Sequence, residues 1–365
     1  MRILILIFCF SLFSNFAYSQ GLSEPEKSFE NVWQAYEDNY AFFNLYAIDW
    51  KQQHDLFRKK VTPKTTENEL INIFKEMLEL LNDCHSYIYK GDSLIFKTTY
   101  KCSFDIEFPN RILKDSLWAV CNHTLTMSNF DNIQGLGPVE KGISLFYQAK
   151  SNDIGYIRIS RCYGKIEALF DDNLLIPDSV NSTNLFDSIL TNMIDKKALI
   201  IDLRNNNGGN DWSNYLATRF LDKERITYYL STRLNGDHES FSELIPYSLR
   251  PDKSLRFLNP IVILTNCKTA SAAENFLIGV KDLPNVSIIG SRTKGIFSNT
   301  MNYTINESEN VWGTLSNERI YDANKICYER EGIPANIEMY NRIEDLKNNY
   351  DPLILKAIEI LSKNN

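Results

Sequence analysis

The sequence lacks the features that mark several large classes of protein. It has no block of lysine or arginine and a formal net charge of -7, so nothing in it indicates a nucleic-acid partner. It contains no CxxC pair and no HExxH segment, and its four histidines are scattered, which disfavours a metal site. Beyond residue 20 no run of about 18 apolar residues occurs, so no membrane span is predicted.

What is present is the composition of a globular protein that forms a core. Apolar residues make up 44% of the 365 residues and charged residues 23%. This length allows one large domain or two ordinary ones.

The first residues have the pattern of a secretory signal. Arg2 supplies a positive start, residues 3–13 are apolar, and residues 17–19 form a small-x-small cleavage site. Residues 1–19 are therefore predicted to be a signal peptide whose removal leaves Gln20 first. We expect the mature protein to be exported, to the periplasm or the extracellular space.

Export changes the interpretation of the cysteines. Seven are present, and the one at position 9 would leave with the signal peptide. An oxidising compartment permits disulfides among the others, while buried thiols are equally compatible with a chain of this size. The pairing stays open among Cys84, Cys102, Cys121, Cys162, Cys267 and Cys327.

Hydrophobic periodicity divides the rest of the chain into three parts. Residues 24–82 are predicted to be helical, because apolar residues recur there at three-to-four spacing. Residues 86–165 lose that period and are predicted to be β-rich, with strands near 98–100, 117–120 and 155–160. Residues 180–365 alternate between strands and helices, which is typical of an α/β fold. The apolar positions of the two helical faces are Phe29, Val32, Trp33, Tyr36 and Tyr40, then Leu70, Ile73, Phe74, Met77, Leu78 and Leu81.

Two polar segments follow apolar runs that have the character of buried strands. Asp202 to Gly209 form a glycine-containing loop after residues 198–203, and Thr269 to Glu274 follow residues 261–264. A serine at a strand-to-helix turn, near a glycine loop with free N–H groups, is typical of an acyl-transfer enzyme. The hydroxyl can attack a carbonyl, and the N–H groups can hold the oxyanion that forms. The alternative is an ordinary turn and a serine that caps a helix.

These segments resemble the tail-specific (C-terminal-processing) serine peptidase superfamily. Asp202 to Gly209 match its DLRxNxGG loop, with Asn207 where proline is usual, and Thr269 to Glu274 match its TASAxE segment. Glu331 to Ile337 are similar to its GVxPDI segment, and residues 81–85 are similar to a DxH element of its tricorn-like branch. The resemblance implies a crotonase-like ββα spiral core, here residues 85–365, with an N-terminal helical bundle, here residues 20–84.

Two departures favour the tricorn-like branch, which uses histidine as the base. The lysine of the processing proteases is replaced by Ile296, and Lys294 is not at the matching position. The interval between His85 and the strand near Gly155 is too short for a PDZ domain with its linkers.

The resemblance assigns roles to individual residues. Ser271 would be the nucleophile, and His85, with an unperturbed pKa of about 6.5, would be the general base. Glu329 would orient the histidine, with Glu331 as the alternative acid. The oxyanion would be held by the N–H of Ala272 and that of Gly208 or Gly209. Asp202 and Arg204 are interpreted as structural residues that tie the loop to its neighbours.

The predicted function is therefore that of an exported serine endopeptidase acting on peptides or unfolded proteins, without a cofactor. A non-catalytic ligand- or peptide-binding protein on the same fold is the alternative, as in the retinoid-binding repeats of the eye. An α/β-hydrolase esterase is weaker, because the residues around Ser271 lack the GxSxG elbow. The oligomeric state stays open.

Overall fold

The computed structural model describes residues 21–99, 101–210 and 212–363. The predicted signal peptide, residues 1–19, lies outside the described residues. The helices are α1 (Glu24–Asn39), α2 (Phe43–Tyr46), α3 (Trp50–Phe57), α4 (Glu67–Glu79), α5 (Ser103–Glu107), α6 (Arg111–Met127), α7 (Asp172–Thr191), α8 (Trp212–Ala217), α9 (Ala272–Val280), α10 (Ile343–Asn348) and α11 (Pro352–Lys363). The strands are β1 (Tyr87–Lys90), β2 (Ser93–Lys97), β3 (Gln134–Glu140), β4 (Ile143–Lys150), β5 (Ile154–Ile159), β6 (Ala198–Asp202), β7 (Arg225–Thr232), β8 (Ile245–Leu249), β9 (Ile261–Thr265), β10 (Val286–Gly290), β11 (Thr300–Asn306), β12 (Val311–Ser316), β13 (Glu318–Asp322) and β14 (Ile337–Glu338).

The chain forms two compact units. The first contains the described residues up to 98 together with 301–315, and the second contains those of 99–300 and 316–363. In the described part of the chain, no helix is long and apolar enough to cross a bilayer.

The first unit combines the helices α1 to α4 with a four-stranded sheet in the order β11-β12-β1-β2. Helix α1 begins at Ser23, whose N–H and hydroxyl both bind the Glu26 carboxylate, and α4 begins at Thr66, whose N–H and hydroxyl bind Glu69 in the same way. The indole N–H of Trp33 donates to the carbonyl of Trp50, and the indole of Trp50 donates back to the carbonyl of Trp33. These contacts fix α1 against α3.

The predicted helical faces of this region are confirmed. All of their apolar residues are buried except Trp33, which is half-buried. The repeated three-to-four spacing therefore identified the core side of α1 and α4 from the sequence alone.

The second unit is built on a seven-stranded sheet in the order β14-β10-β9-β6-β5-β4-β3. Strands β5, β6, β9 and β10 run parallel, with Ile157, Ile201, Ile263 and Ile288 side by side across them. Apolar side chains cover both faces of this sheet, as buried parallel strands require. Because the carboxyl ends of β6 and β9 are adjacent, the loops that follow them meet at the same edge.

The strands predicted near 155–160, 198–203 and 261–264 are confirmed as β5, β6 and β9. The strand predicted at 117–120 is wrong, because these residues lie within α6. The Asn110 side chain accepts from the N–H of Leu113 and starts that helix, whose core face then continues through Cys121 and Leu125. The apolar run 117–120 is too short for its pattern to distinguish a strand from a turn of helix, and the wrong element was predicted. The strand predicted at 98–100 is also wrong for Thr98 and Thr99, since β2 ends at Lys97, while Tyr100 lies outside the described residues.

A buried ionic network fastens the β6 end of the sheet to the C-terminal region. The guanidinium of Arg204 lies 2.6 Å from a carboxylate oxygen of Asp202 and 2.7 Å from one of Asp351, and it also donates to Asn341. All three charged side chains are at most 1% exposed. The structural roles predicted for Asp202 and Arg204 are confirmed by these contacts.

Replacing Arg204 by methionine should destabilise the protein strongly. The change leaves the carboxylates of Asp202 and Asp351 buried without their cation, which typically costs about 3–5 kcal/mol. Arg250→Met is the control, because its ion pair with Glu224 is largely exposed and should contribute less than about 1 kcal/mol. Urea unfolding followed by circular dichroism measures both. Equal midpoints for the two variants would contradict this role of Arg204.

Candidate active site

The backbone of Ser271 adopts a conformation that few residues other than glycine tolerate. Its φ is 55° and its ψ is -126°, at the turn between β9 and α9. Such a conformation costs about 1–3 kcal/mol and persists only where the surroundings impose it. A strained serine on a strand-to-helix turn is a candidate nucleophile on structural grounds.

Helix α9 is capped through the backbone of Ser271. The Ser271 N–H donates to the Glu274 carboxylate at 2.9 Å, which is one half of a capping box. The N–H groups of Glu274 and Asn275 donate to the Ser271 carbonyl at 2.7 and 3.0 Å. Ser271 therefore starts the helix, as the alternative interpretation expected, and its strained backbone is what separates it from an ordinary capping serine.

The glycine loop packs directly on the Ser271 turn. A Cβ atom at Gly208 would lie 2.6 Å from the carbonyl oxygen of Ala270 and 2.6 Å from the Cβ of Ser271. The φ of Gly208 is 88°, so glycine is required here both for space and for conformation. The loop is also tied to the nucleophile segment by a hydrogen bond from the Ala270 N–H to the carbonyl of Asn206.

Hydrogen bonds within the loop narrow the choice of oxyanion donors. The N–H of Gly208 donates to the Asn206 side chain at 2.9 Å, so it is already engaged. Among residues 21–99, 101–210 and 212–363, no acceptor binds the N–H of Gly209 or that of Ala272. The sequence left open which of the two glycines supplies an oxyanion donor. Gly209 has the unbound N–H, whereas Gly208 lets the loop approach the Ser271 turn closely.

Glu274 is fully buried and collects four donors. Its Oε2 accepts from the N–H groups of Ser271 and Ile296, and its Oε1 accepts from the Thr293 hydroxyl and the Gly295 N–H. Burial raises the pKa of Glu274 to about 7, and the donated hydrogen bonds oppose that rise.

Glu329 is held by the same loop that binds Glu274. Its carboxylate accepts from the N–H of Phe297 at 2.8 Å and from that of Ser298 at 3.3 Å, and its side chain is buried. Glu331 is exposed to solvent. This difference favours Glu329 over Glu331 as the functional acid.

The two loop positions at which a lysine base was considered have different surroundings. The Ile296 side chain is buried and apolar, and only its backbone N–H reaches Glu274. Lys294 is half-buried, and its N–H donates to the carbonyl of Thr269.

His85 belongs to the first unit, whereas Ser271 and Glu329 belong to the second. Its N–H donates to the buried Asp83 carboxylate at 2.8 Å, and its carbonyl accepts from the Thr314 hydroxyl at 2.6 Å. The neighbouring Ser86 is fully buried and bonded to the Tyr36 hydroxyl, so its role is in the core of this unit.

The sequence allowed both disulfides and thiols, and the structure contains both. Cys102, just before α5, forms a disulfide with Cys267 in the loop between β9 and Ser271. Cys84, Cys121, Cys162 and Cys327 form no disulfide within the described residues. In the same part of the chain, no group of three His, Cys, Asp or Glu side chains is placed to hold a metal ion.

Sequence reasoning missed three residues that shape the site. Thr293 and Asn206 act through side-chain hydrogen bonds to Glu274 and Gly208, and Glu274 binds the Ser271 N–H. The sequence signal for Asn206 and Glu274 was their place inside the matched motifs, and Thr293 lies outside those motifs. Their contacts join segments that are distant in the sequence, and no local pattern reveals such contacts.

Comparison with known proteins identifies the family and the fold. Residues 153–339 match the profile of peptidase family S41, and residues 23–79 match the tricorn protease C1 domain. The chain is similar to the crystal structure of a candidate peptidase from Parabacteroides merdae, with 22% identity, a TM-score of 0.71, and coverage of 93% of this chain and 97% of that one.

Two further solved structures share the fold. Mature CPAF in complex with lactacystin is 14% identical with a TM-score of 0.61, covering 93% of this chain and 97% of that one. The tricorn protease is 16% identical with a TM-score of 0.56, covering 93% of this chain and 37% of that one. The chain thus has the mixed α/β fold of these proteins.

Gly208→Ala should slow the reaction of Ser271 with a fluorophosphonate probe by about 10²-fold. The added methyl group would push on the Ala270 carbonyl and on Ser271 itself, and a displacement of about 1 Å at a reacting group is enough for such a loss. Gly236→Ala is the matched control, since Gly236 also has a positive φ but lies in an exposed loop. The rate of probe incorporation, followed by mass spectrometry, gives the comparison. Equal rates for both variants would mean that the Gly208 contact does not support the serine.

Proposed function

The chain belongs to peptidase family S41 and is a serine peptidase, and from this premise we propose that it is an exported endopeptidase that uses Ser271, His85 and Glu329. Its substrates are peptides or unfolded polypeptides. The observation that carries the proposal is the strained Ser271 turn, packed directly on Gly208.

The proposed reaction is acyl transfer in two steps. Ser271 Oγ attacks the substrate carbonyl carbon while His85 takes the hydroxyl proton, and the N–H groups of Gly209 and Ala272 stabilise the oxyanion. His85 then gives the proton to the leaving amine as the C–N bond breaks, which leaves an acyl-enzyme. Water, deprotonated by the same histidine, attacks the ester, and the acid product and Ser271 are released.

The choice of histidine and glutamate rests on several separate observations. The family position of a lysine base is taken by the buried Ile296, whose side chain cannot accept a proton. Residues 23–79, which precede the Asp83–His85 element, match the tricorn C1 domain. Glu329 is buried and held by two backbone N–H groups, as a fixed triad acid must be, whereas Glu331 is exposed.

The proposal extends to the fold and the maturation of the chain. The second unit, with its parallel strands covered on both faces, is proposed to be a crotonase-like ββα core, and the helices α1 to α4 to be the N-terminal bundle. Residues 1–19 are proposed to direct export, on the strength of their charge and apolar pattern.

Assays of three variants on one fluorescent peptide between pH 5 and 10 test the mechanism. Ser271→Ala should abolish turnover and phosphonate labelling. His85→Ala should lower kcat/KM by several orders of magnitude, whereas Lys294→Ala should change it little. A histidine base works only when neutral, so wild-type kcat/KM should rise with pH through the pKa of the base, which is about 6.5 for unperturbed imidazole.

The opposite ranking of variants would identify a serine–lysine dyad in place of the histidine. Undiminished turnover in Ser271→Ala would remove the serine mechanism altogether, and an inert wild type would favour the non-catalytic binding protein. Glu329→Gln and Glu331→Gln form a matched pair, and only the first should lower kcat. Equal losses would argue against Glu329 as the orienting acid.

Export predicts a specific mature N-terminus. When the full chain is expressed in a secreting bacterial host, mass spectrometry of the exported fraction should find Gln20 or a neighbouring residue first. Retention of Met1 in exported protein would contradict cleavage of the signal peptide.

A further inference from the structure

Four successive backbone N–H groups of the loop 295–298 donate hydrogen bonds to two buried carboxylates. Those of Gly295 and Ile296 donate to Glu274, at 2.7 and 3.0 Å. Those of Phe297 and Ser298 donate to Glu329, at 2.8 and 3.3 Å. One short segment therefore positions the proposed triad acid and is itself positioned by Glu274.

The other end of the Glu274 carboxylate reaches the nucleophile. Its Oε2 accepts the N–H of Ser271, at the residue whose backbone is strained. The same oxygen accepts the N–H of Ile296, so a single atom joins the nucleophile turn to the loop. The segment that supplies a lysine base in the processing-protease branch is used here through its backbone.

We propose that Glu274 is a positioning residue, which holds the strained Ser271 turn and the loop carrying Glu329 at a fixed separation. This role rests on the proposed function, since it presumes that Ser271 and Glu329 act together. Glu274 itself is packed beneath the turn, is 0% exposed, and takes no part in the bond-making steps.

The chemistry of the four donors makes the carboxylate hard to replace. Each oxygen faces two donors, namely Ser271 and Ile296 on one side and Thr293 and Gly295 on the other. Glutamine has the same shape, but its amide nitrogen would point at donors in either orientation. At least one pair of hydrogen bonds must then break, and buried donors would be left unpaired.

Thr293 offers a milder perturbation of the same contact. Its hydroxyl donates to Glu274 at 2.5 Å and accepts the Ile333 N–H at 2.7 Å. Valine keeps the shape of threonine and loses both bonds, whereas serine keeps the hydroxyl. The pair Thr293→Val and Thr293→Ser therefore separates the hydrogen bonds from packing.

The test measures kcat, KM and the rate of fluorophosphonate labelling at Ser271 in the full-length exported protein, on one fluorescent peptide. Glu274→Gln should lower kcat and the labelling rate by about 10²-fold while KM stays within about threefold, because a displaced nucleophile loses reactivity and not substrate contacts. Thr293→Val should lose about tenfold and Thr293→Ser should stay near wild type. Glu344→Gln, at an exposed helix position, is the control for the chemical change.

Each outcome bears on one claim. Wild-type labelling rates in both Glu274→Gln and Thr293→Val, or a change confined to KM, would overturn the positioning role and leave the serine mechanism intact. Absence of Ser271 labelling in the wild type would remove the proposed function and this role with it.

If Glu274→Gln does not fold, as judged by circular dichroism, the Thr293 pair decides the question. A loss in valine that serine restores supports the inference, and equal kinetics in the two variants would overturn it.

Discussion

The rest of the site depends on one strained turn, the backbone of Ser271 in a left-handed conformation between β9 and α9. A cost of about 1–3 kcal/mol at one residue is tolerated only when several contacts impose the conformation together. Three do so here. Gly208 leaves room against the turn, Glu274 binds its N–H, and the parallel sheet fixes where β9 ends.

Charge is buried in the second unit in two different ways. The Arg204 network neutralises its carboxylates with a guanidinium and fastens β6 to the C-terminal region. Glu274 and Glu329 instead each accept hydrogen bonds from two backbone N–H groups of the loop 295–298. An ion pair adds rigidity to the scaffold, whereas a row of N–H groups sets the positions of two carboxylates along one segment.

The disulfide between Cys102 and Cys267 also holds the segment that precedes Ser271. It joins the start of α5 to the loop that leads from β9 to Ser271. Lys268 adds an ion pair to Asp105 of α5 at 2.9 Å. The segment that carries Ser271 is thus attached to the glycine loop, to α5 and, through Glu274, to the loop 295–298.

The sequence by itself determined the elements whose signals are local. The three-to-four spacing of α1 and α4, the apolar runs of β5, β6 and β9, and the motifs around Gly208 and Ser271 follow from neighbouring residues alone. Local signals failed where a short apolar run could belong to either a strand or a helix, as at Leu117 in α6. Only the tertiary structure decided that Gly209 has the spare N–H, that Glu329 is buried and Glu331 exposed, and that Glu274 joins two loops. These facts depend on burial and on the direction of backbone N–H groups in segments far apart in the chain, and both are set by packing.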